Sequence, residues 1–196
     1  MKKQQITVRV PATTSNLGPG FDCLGVALQI YNYVTVTQTE GPETVPMARQ
    51  AARKYFKTVG CNPFPFTCTV EGEVPRARGL GSSVTVRLGV LHALNPLLGQ
   101  PLKRTEIFAL CAELEGHPDN AGPAEFGGFV AARGLQHQKF AVNARLRFVL
   151  LIPDFEVPTK EAREILPNEI DRNRAGESCP NAGATNARQP RRAHRA

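Results

Sequence analysis

The chain has 196 residues, 41% of them hydrophobic and 21% charged, with a formal net charge of +7. That composition excludes a fibrous or wholly disordered chain and describes a domain with a real core. No apolar stretch approaches the ~20 residues that span a bilayer, and Met1-Lys-Lys-Gln-Gln-Ile opens without an apolar signal region, so a cytoplasmic protein with no membrane partner is expected.

In chain order, Ile6-Thr-Val-Arg-Val10 alternates as a strand and stops at Pro11. Residues 25–39 are rich in β-branched and aromatic side chains and read as a long strand or a bent pair. Residues 45–59 carry helical spacing, with Ala48, Ala51, Ala52, Tyr55 and Phe56 as the inward stripe. A strand follows at 66–70. Residues 82–94 form a helix with Val86, Val90, Leu91 and Leu94 inward, ending ahead of Pro96. Another helix spans 104–115, opened by Thr105. Strands are expected near 129–132, 139–142 and 147–152, then a short helix over 159–166. No internal repeat is visible. The order is that of an α+β fold, not a regular βαβ alternation.

The charge is unevenly spread. From Asp171 to Ala196 six arginines stand against Asp171 and Glu177, a net +4, and the segment has no Val, Ile, Leu, Met, Phe, Tyr or Trp. Such a tail cannot bury enough apolar area to offset its ordering entropy and is read as disordered. The five cysteines (Cys23, Cys61, Cys68, Cys111, Cys179) form no CxxC pair and read as reduced thiols, neither a disulfide frame nor a zinc site.

Three stretches carry chemistry. Pro75-Arg76-Ala77-Arg78-Gly79-Leu80-Gly81-Ser82-Ser83-Val84-Thr85 is a glycine-serine turn feeding a helix. Helix N-termini have unpaired N–H groups and positive potential, which suits a phosphate. Gly79 and Gly81 allow close backbone approach, and Ser82 or Ser83 can cap the helix and offer a hydroxyl to a cation. No GxxxxGK[ST] pattern is present, so this is not a Walker-type site. Residues 11–22 form a strand end followed by a loop crowded with hydroxyls, where Asn16 can donate and accept and Asp22 can take an ammonium group. In the third stretch, 111–123, Glu113, His117, Asp119 and Asn120 fall within eight positions. A carboxylate beside a phosphate-binding serine suits Mg²⁺. Each stretch alone also reads plainly, as a serine cap, a polar turn or a solvated helix charge.

Taken together, PxxxGLGSS at 75–83, Asn16-Leu-Gly-Pro-Gly-Phe-Asp22, Gly116-His-Pro-Asp-Asn120 and Val157-Pro-Thr-Lys-Glu-Ala-Arg163 resemble the homoserine branch of the GHMP (galacto-, homoserine, mevalonate, phosphomevalonate) kinase family. The resemblance covers roughly residues 6–167, with four motifs in family order. Val84-Thr85 departs from it, since two small residues usually follow the double serine. The resemblance implies a GHMP kinase N-terminal ATP-binding domain over 1–146, of a fold shared with a ribosomal protein domain. It also implies the start of a ferredoxin-like second domain over 147–170, followed by a basic tail outside the family over 171–196. The likeness stops near Pro167, an abrupt change of the kind a frameshift produces. The expectation is therefore a chain lacking most of its second domain, and weak or inactive by itself.

The implied reaction is transfer of the γ-phosphoryl group of ATP to the side-chain hydroxyl of L-homoserine, with ATP and Mg²⁺ as cofactors. By resemblance, the stretch from Pro75 to Thr85 binds the nucleotide, and Ser83 with Glu113 holds Mg²⁺. Asn16, Asp22, His117, Asp119, Thr159 and Arg163 grip homoserine, Arg163 pairing with its carboxylate. Asn16, Asp22, Thr159 and Asn120 stand at the reacting centre. Related kinases place an aspartate as base, whereas Asn120 follows Asp119 here, so positioning and electrostatics are expected to carry the rate. Two rivals stay open: a non-catalytic kinase remnant, and a nucleic-acid-binding module, disfavoured because basic tails without aromatics are usually only solvated. A homodimer is left open.

Overall fold

A computed structural model of the chain describes residues 4–18, 20–41, 45–143 and 145–156, together with Glu161, Glu164 and Ile165. The elements run β1 (Gln5–Ser15), β2 (Leu24–Thr37), α1 (Pro46–Val59), β3 (Thr67–Gly72), α2 (Ser82–Leu97), α3 (Arg104–Glu115), α4 (Ala121–Phe126), β4 (Phe129–Arg133) and β5 (Gln136–Phe140). All five strands lie in one antiparallel sheet. One edge of β2 pairs with β1 along most of its length. Its other edge is divided, β4 taking residues 24–26 and β3 taking residues 32–37.

α2 is the centre of the core. It packs on β1, β2, α1, α3 and α4, and residues from Val84 to Asn95 are buried nearly all round it. A helix covered on every side reads as continuous apolar sequence, so the expected inward stripe of Val86, Val90, Leu91 and Leu94 is real but incomplete. α1 covers one flank and buries Ala48, Ala51, Ala52, Tyr55 and Phe56, the expected set. Its end is closed by Gly60 at φ 69°, whose N–H returns to the Phe56 carbonyl. A second small cluster, Ala12, Leu28, Val74 and Leu80, sits under the loop before α2 and takes Leu150 against its edge.

Three helices are stitched by one buried carboxylate. Glu125 on α4 accepts from His92 Nε2 of α2 at 2.5 Å and Arg104 Nε of α3 at 2.7 Å. Burial alone would raise the Glu125 carboxyl, but the hydrogen bonds and charges of His92 and Arg104 outweigh it and lower the pKa.

Several expectations are corrected. β1 does not stop at Pro11; the pairing with β2 shifts register between Pro11 and Thr13 and resumes through Ser15. Proline has no N–H to give the ladder, and the irregularity absorbs that loss. α2 runs on through Pro96 to Leu97. Asn95 holds that last turn, accepting from Tyr55 Oη at 2.7 Å and Leu102 N at 3.1 Å while donating to Leu102 O at 2.9 Å. α3 keeps its expected bounds, but Thr105 does not open it: the N-cap is Lys103, whose N–H donates to Glu106 Oε2 at 2.7 Å to close the helix start. The short α4 replaces an expected loop. The expected strand over 147–152 is not formed, since it has no sheet neighbour to pair with among the described residues. The expected helix over 159–166, apart from Glu161, Glu164 and Ile165, and the tail from Asp171 lie outside the described residues. Among the described residues, Cys23, Cys61, Cys68 and Cys111 carry free thiols. Among the described residues no helix is long and apolar enough to cross a membrane.

Candidate active site

Three loops meet at the end of β1, and uncharged hydrogen bonds lock them together. Thr13 Oγ1, fully buried, donates to Asn120 Oδ1 at 2.8 Å, and Asn120 Nδ2 donates to Ser15 Oγ at 2.8 Å. The Thr13 N–H donates to the Leu80 carbonyl at 3.2 Å, fastening the glycine-serine turn to the same strand. Gly81 stands against this junction at φ 65°, and a Cβ there would overlap the Thr13 hydroxyl. The glycine is therefore demanded twice, by backbone conformation and by space.

The turn itself divides into packed and open parts. Leu80, Val84 and Thr85 are buried. Thr85 Oγ1 donates to the Ser82 carbonyl at 2.7 Å and accepts from Asn32 Nδ2 at 2.9 Å, so it anchors the helix start to β2. Neither serine caps α2; its N-cap is Gly81, and no side chain caps it. Arg78 reaches the other way, donating from Nη2 to the Asp154 carbonyl at 2.8 Å.

The second loop closes on itself. Asn16 and Asp22 both have positive φ, 59° and 55°, and the Asp22 N–H donates to Asn16 Oδ1 at 2.9 Å. Asp22 comes within reach of the third loop: ligand atoms of Asp22, His117 and Asp119 lie within 4.8 Å of one another. Asp119 is buried, accepting at Oδ1 from His117 Nδ1 at 2.5 Å and from the Asn120 N–H at 2.9 Å, while its buried Oδ2 has no hydrogen-bond partner. Burial would raise its carboxyl, yet the bond and charge of His117 and the Asn120 N–H hold it below its ordinary value. Burial and the Asp119 and Asp22 charges push the Cys23 thiol up. Gly25 of β2 lies directly behind this loop, where a Cβ would overlap the Asp119 carbonyl.

Ser83 meets a different carboxylate from the expected one. Its Oγ donates to Glu115 Oε2 at 2.9 Å, and Arg87 Nη1 bonds the other oxygen of Glu115. Glu113 instead faces α1, paired with Lys54, and its side chain is 64% exposed. The reason is helix register: residues two apart lie on opposite sides of a helix, and Glu115 extends the inward row of Phe108, Cys111 and Ala112. That row was the signal that identifies Glu115. Thr13, Ser15 and Arg87 also join the site without having been singled out. Thr13 and Ser15 fall in the strand once it continues past Pro11; Arg87 lies one turn along α2 from Ser83. Thr159 and Arg163 lie outside the described residues. A hydroxyl and a carboxylate oxygen 2.9 Å apart form a hard-oxygen donor pair that fits Mg²⁺, and Ser83 with Glu115 could hold it.

The comparisons with known proteins agree with this geometry. Residues 46–128 match the family model described as GHMP kinases N terminal domain. A homoserine kinase of Caldicellulosiruptor bescii is 40% identical over 184 residues, covering 85% of this chain and 60% of its own length. A homoserine kinase of Synechocystis is 40% identical over 191 residues, covering 86% and 62%. The chain thus spans about 60% of the length of the curated relatives it matches. Among solved structures, a homoserine kinase from Cytophaga hutchinsonii superposes with a TM-score of 0.78 at 26% identity, over 93% of this chain and 66% of that one. The mevalonate kinase of Methanococcus jannaschii, at 14% identity and a TM-score of 0.61 over 72% of this chain and 57% of that one, shares the fold alone. The fold is therefore that of the GHMP kinases, and residues 46–128, on which the phosphate turn and the Gly116–Asn120 loop are carried, match the model of that family's N-terminal domain.

Proposed function

We propose that this chain is the nucleotide-binding part of a cytoplasmic homoserine kinase, moving the γ-phosphoryl group of ATP to the hydroxyl of L-homoserine with Mg²⁺ present. The observation that carries this reading is the junction at Thr13, Asn120 and Gly81, where the phosphate turn and the polar pocket share one wall. A γ-phosphate on the turn and an amino-acid hydroxyl in the pocket would then be neighbours, which is most of what phosphoryl transfer requires.

Each residue has a part in this proposal. The uncapped first turn of α2, opened by Gly79 and Gly81, points N–H groups at the phosphates. Ser83 and Glu115 hold the Mg²⁺, which when bound supplies charge neutralisation on the phosphate oxygens. Asp22 and Asp119, with His117 beside them, cradle the homoserine ammonium group, and Asn16 holds Asp22 in place. The motif resemblance gives Arg163 the substrate carboxylate and Thr159 a part in the transfer. Asn120 acts by position, since both ends of its amide are already bonded and a carboxamide is too weak a base to take a proton. Residues 1–146 form the first domain, residues 147–170 open a second, and residues 171–196 stand outside both. The exposure of Val149 at 88% and Leu151 at 93% supports that division, because an unpaired apolar segment is what a strand awaiting its sheet presents.

The test is ³¹P NMR of reactions containing ATP, Mg²⁺ and either L-homoserine or mevalonate. It is run on this chain and on a chimera that adds the C-terminal portion of the Caldicellulosiruptor bescii relative. The expected product is O-phospho-L-homoserine from the chimera, with none from mevalonate and far less from the chain by itself. A folded chimera that leaves L-homoserine unphosphorylated refutes the reading.

A further inference from the structure

The carboxylate that Ser83 meets is already partnered by a cation. Arg87 lies four residues beyond Ser83 on α2, so helix geometry puts both side chains on the face turned toward Glu115. Arg87 bonds Glu115 Oε1 while Ser83 donates to Oε2, dividing the carboxylate between a charge and a hydroxyl. The Arg87 and Glu115 side chains are only 16% and 8% exposed, where an uncompensated carboxylate would be costly. The guanidinium is nevertheless loosely held elsewhere. Its Nη2 donates to Gln50 Oε1 at 3.1 Å on an exposed contact, and its buried Nε has no hydrogen-bond partner.

We propose that Arg87 is a placeholder cation for the metal site. It neutralises Glu115 while no metal is bound and keeps one oxygen turned to Ser83. A divalent ion entering between Ser83 and Glu115 competes with the guanidinium for the same carboxylate. Arg87 therefore sets the metal concentration at which the site fills, and acts as a positioning residue through Glu115. The inference rests on Ser83 and Glu115 being the metal-binding pair.

The test is direct titration of Mn²⁺ alone, a paramagnetic stand-in for Mg²⁺, into the chain, with free ion followed by electron paramagnetic resonance and folding checked by thermal melting. Arg87→Met removes a full positive charge a few ångströms from the ion and is expected to tighten Mn²⁺ binding about tenfold. Arg87→Lys keeps the charge without the fork and is expected to stay within about threefold of the unaltered chain. Glu115→Gln is expected to abolish the site. A merely structural ion pair predicts the opposite pattern for Arg87→Met, lower thermal stability with unchanged or weaker Mn²⁺ binding, and that result overturns the proposal. If Arg87→Met does not fold, Gln50→Glu serves instead, giving the guanidinium a second carboxylate that draws it from Glu115. Tighter binding supports the proposal, and unchanged binding overturns it. Mn²⁺ bound by Glu115→Gln as tightly as by the unaltered chain defeats the metal pair itself. Loss in that variant with no change in Arg87→Met defeats only the role of Arg87.

Discussion

The two halves of the candidate site are built on opposite principles. Around Asn120, hydroxyls and an amide join three loops through short neutral hydrogen bonds, and Asp119 is fixed by His117 and the Asn120 N–H. Around Glu115, two side chains of one helix compete for a carboxylate of another. The first half has few alternative partners and is preorganised; the second is a set of charges that can exchange partners without rebuilding the backbone. The proposed phosphoryl transfer has use for both, since an acceptor must be held in register while phosphate and metal come and go.

The contrast can be broken from the charged side first. On the proposed reading, Glu115→Gln in the chimera should lower turnover about a thousandfold by removing the proposed metal-side carboxylate, and should lower the melting temperature as well, because it leaves the largely buried Arg87 guanidinium without its carboxylate. A smaller loss, with Mg²⁺ dependence intact, would return the metal to some other pair. Asn120→Ala attacks the neutral side and should act on the fold as well as on rate. It strands the Thr13 and Ser15 hydroxyls, one of them fully buried, so a stability loss of about 2 kcal/mol by denaturant titration should accompany a turnover loss of roughly a hundredfold.

Acid titration separates the halves more gently. Asp119 has a lowered pKa in the folded chain, so it contributes stability above the ordinary carboxylate range that is lost as pH falls through its depressed value. Glu125, lowered by His92 and Arg104, behaves alike at a distance from the site. Denaturant midpoints measured from pH 7 to pH 2 should therefore hold near neutrality and fall below about pH 4. Asp119→Asn should flatten that fall without removing the part due to Glu125. The smallest effect is expected from Glu113→Gln. Its exposed pair with Lys54 is worth no more than about 0.5 kcal/mol, and turnover should be unchanged. A large kinetic loss there would restore the carboxylate expected from the motif alone.

What could be read in the chain beforehand follows from how local its cause was. The buried face of α1 and the bounds of α3 depend on spacing within a dozen residues, and both are legible. Pro96 reads as a helix stop because the bonds that hold Asn95 come from Tyr55, 40 positions away, and from the Leu102 backbone. Pro11 misleads for the same reason, since a long partner strand carries β1 past it. α4 is too short to show a period. In the site, the loops announce themselves by residue type, whereas the choice between Glu113 and Glu115 depends on how α3 is rolled against the core. The unformed strand over 147–152 shows the converse, a pattern with strand propensity and no neighbour to realise it.

The Thr13–Asn120 hydrogen bond joins residues 107 positions apart. As the chain leaves a ribosome at roughly 5–20 residues per second, Thr13 waits about 5–20 s for its partner to be made. Through that interval the buried hydroxyl and the space reserved at Gly81 have nothing to close against, and loop closure over that span costs about 4 kcal/mol before the junction returns anything. The junction is therefore among the last features of the domain to form during synthesis. A chain halted before Asn120 would lack its closing contact, however complete its first strands and helices.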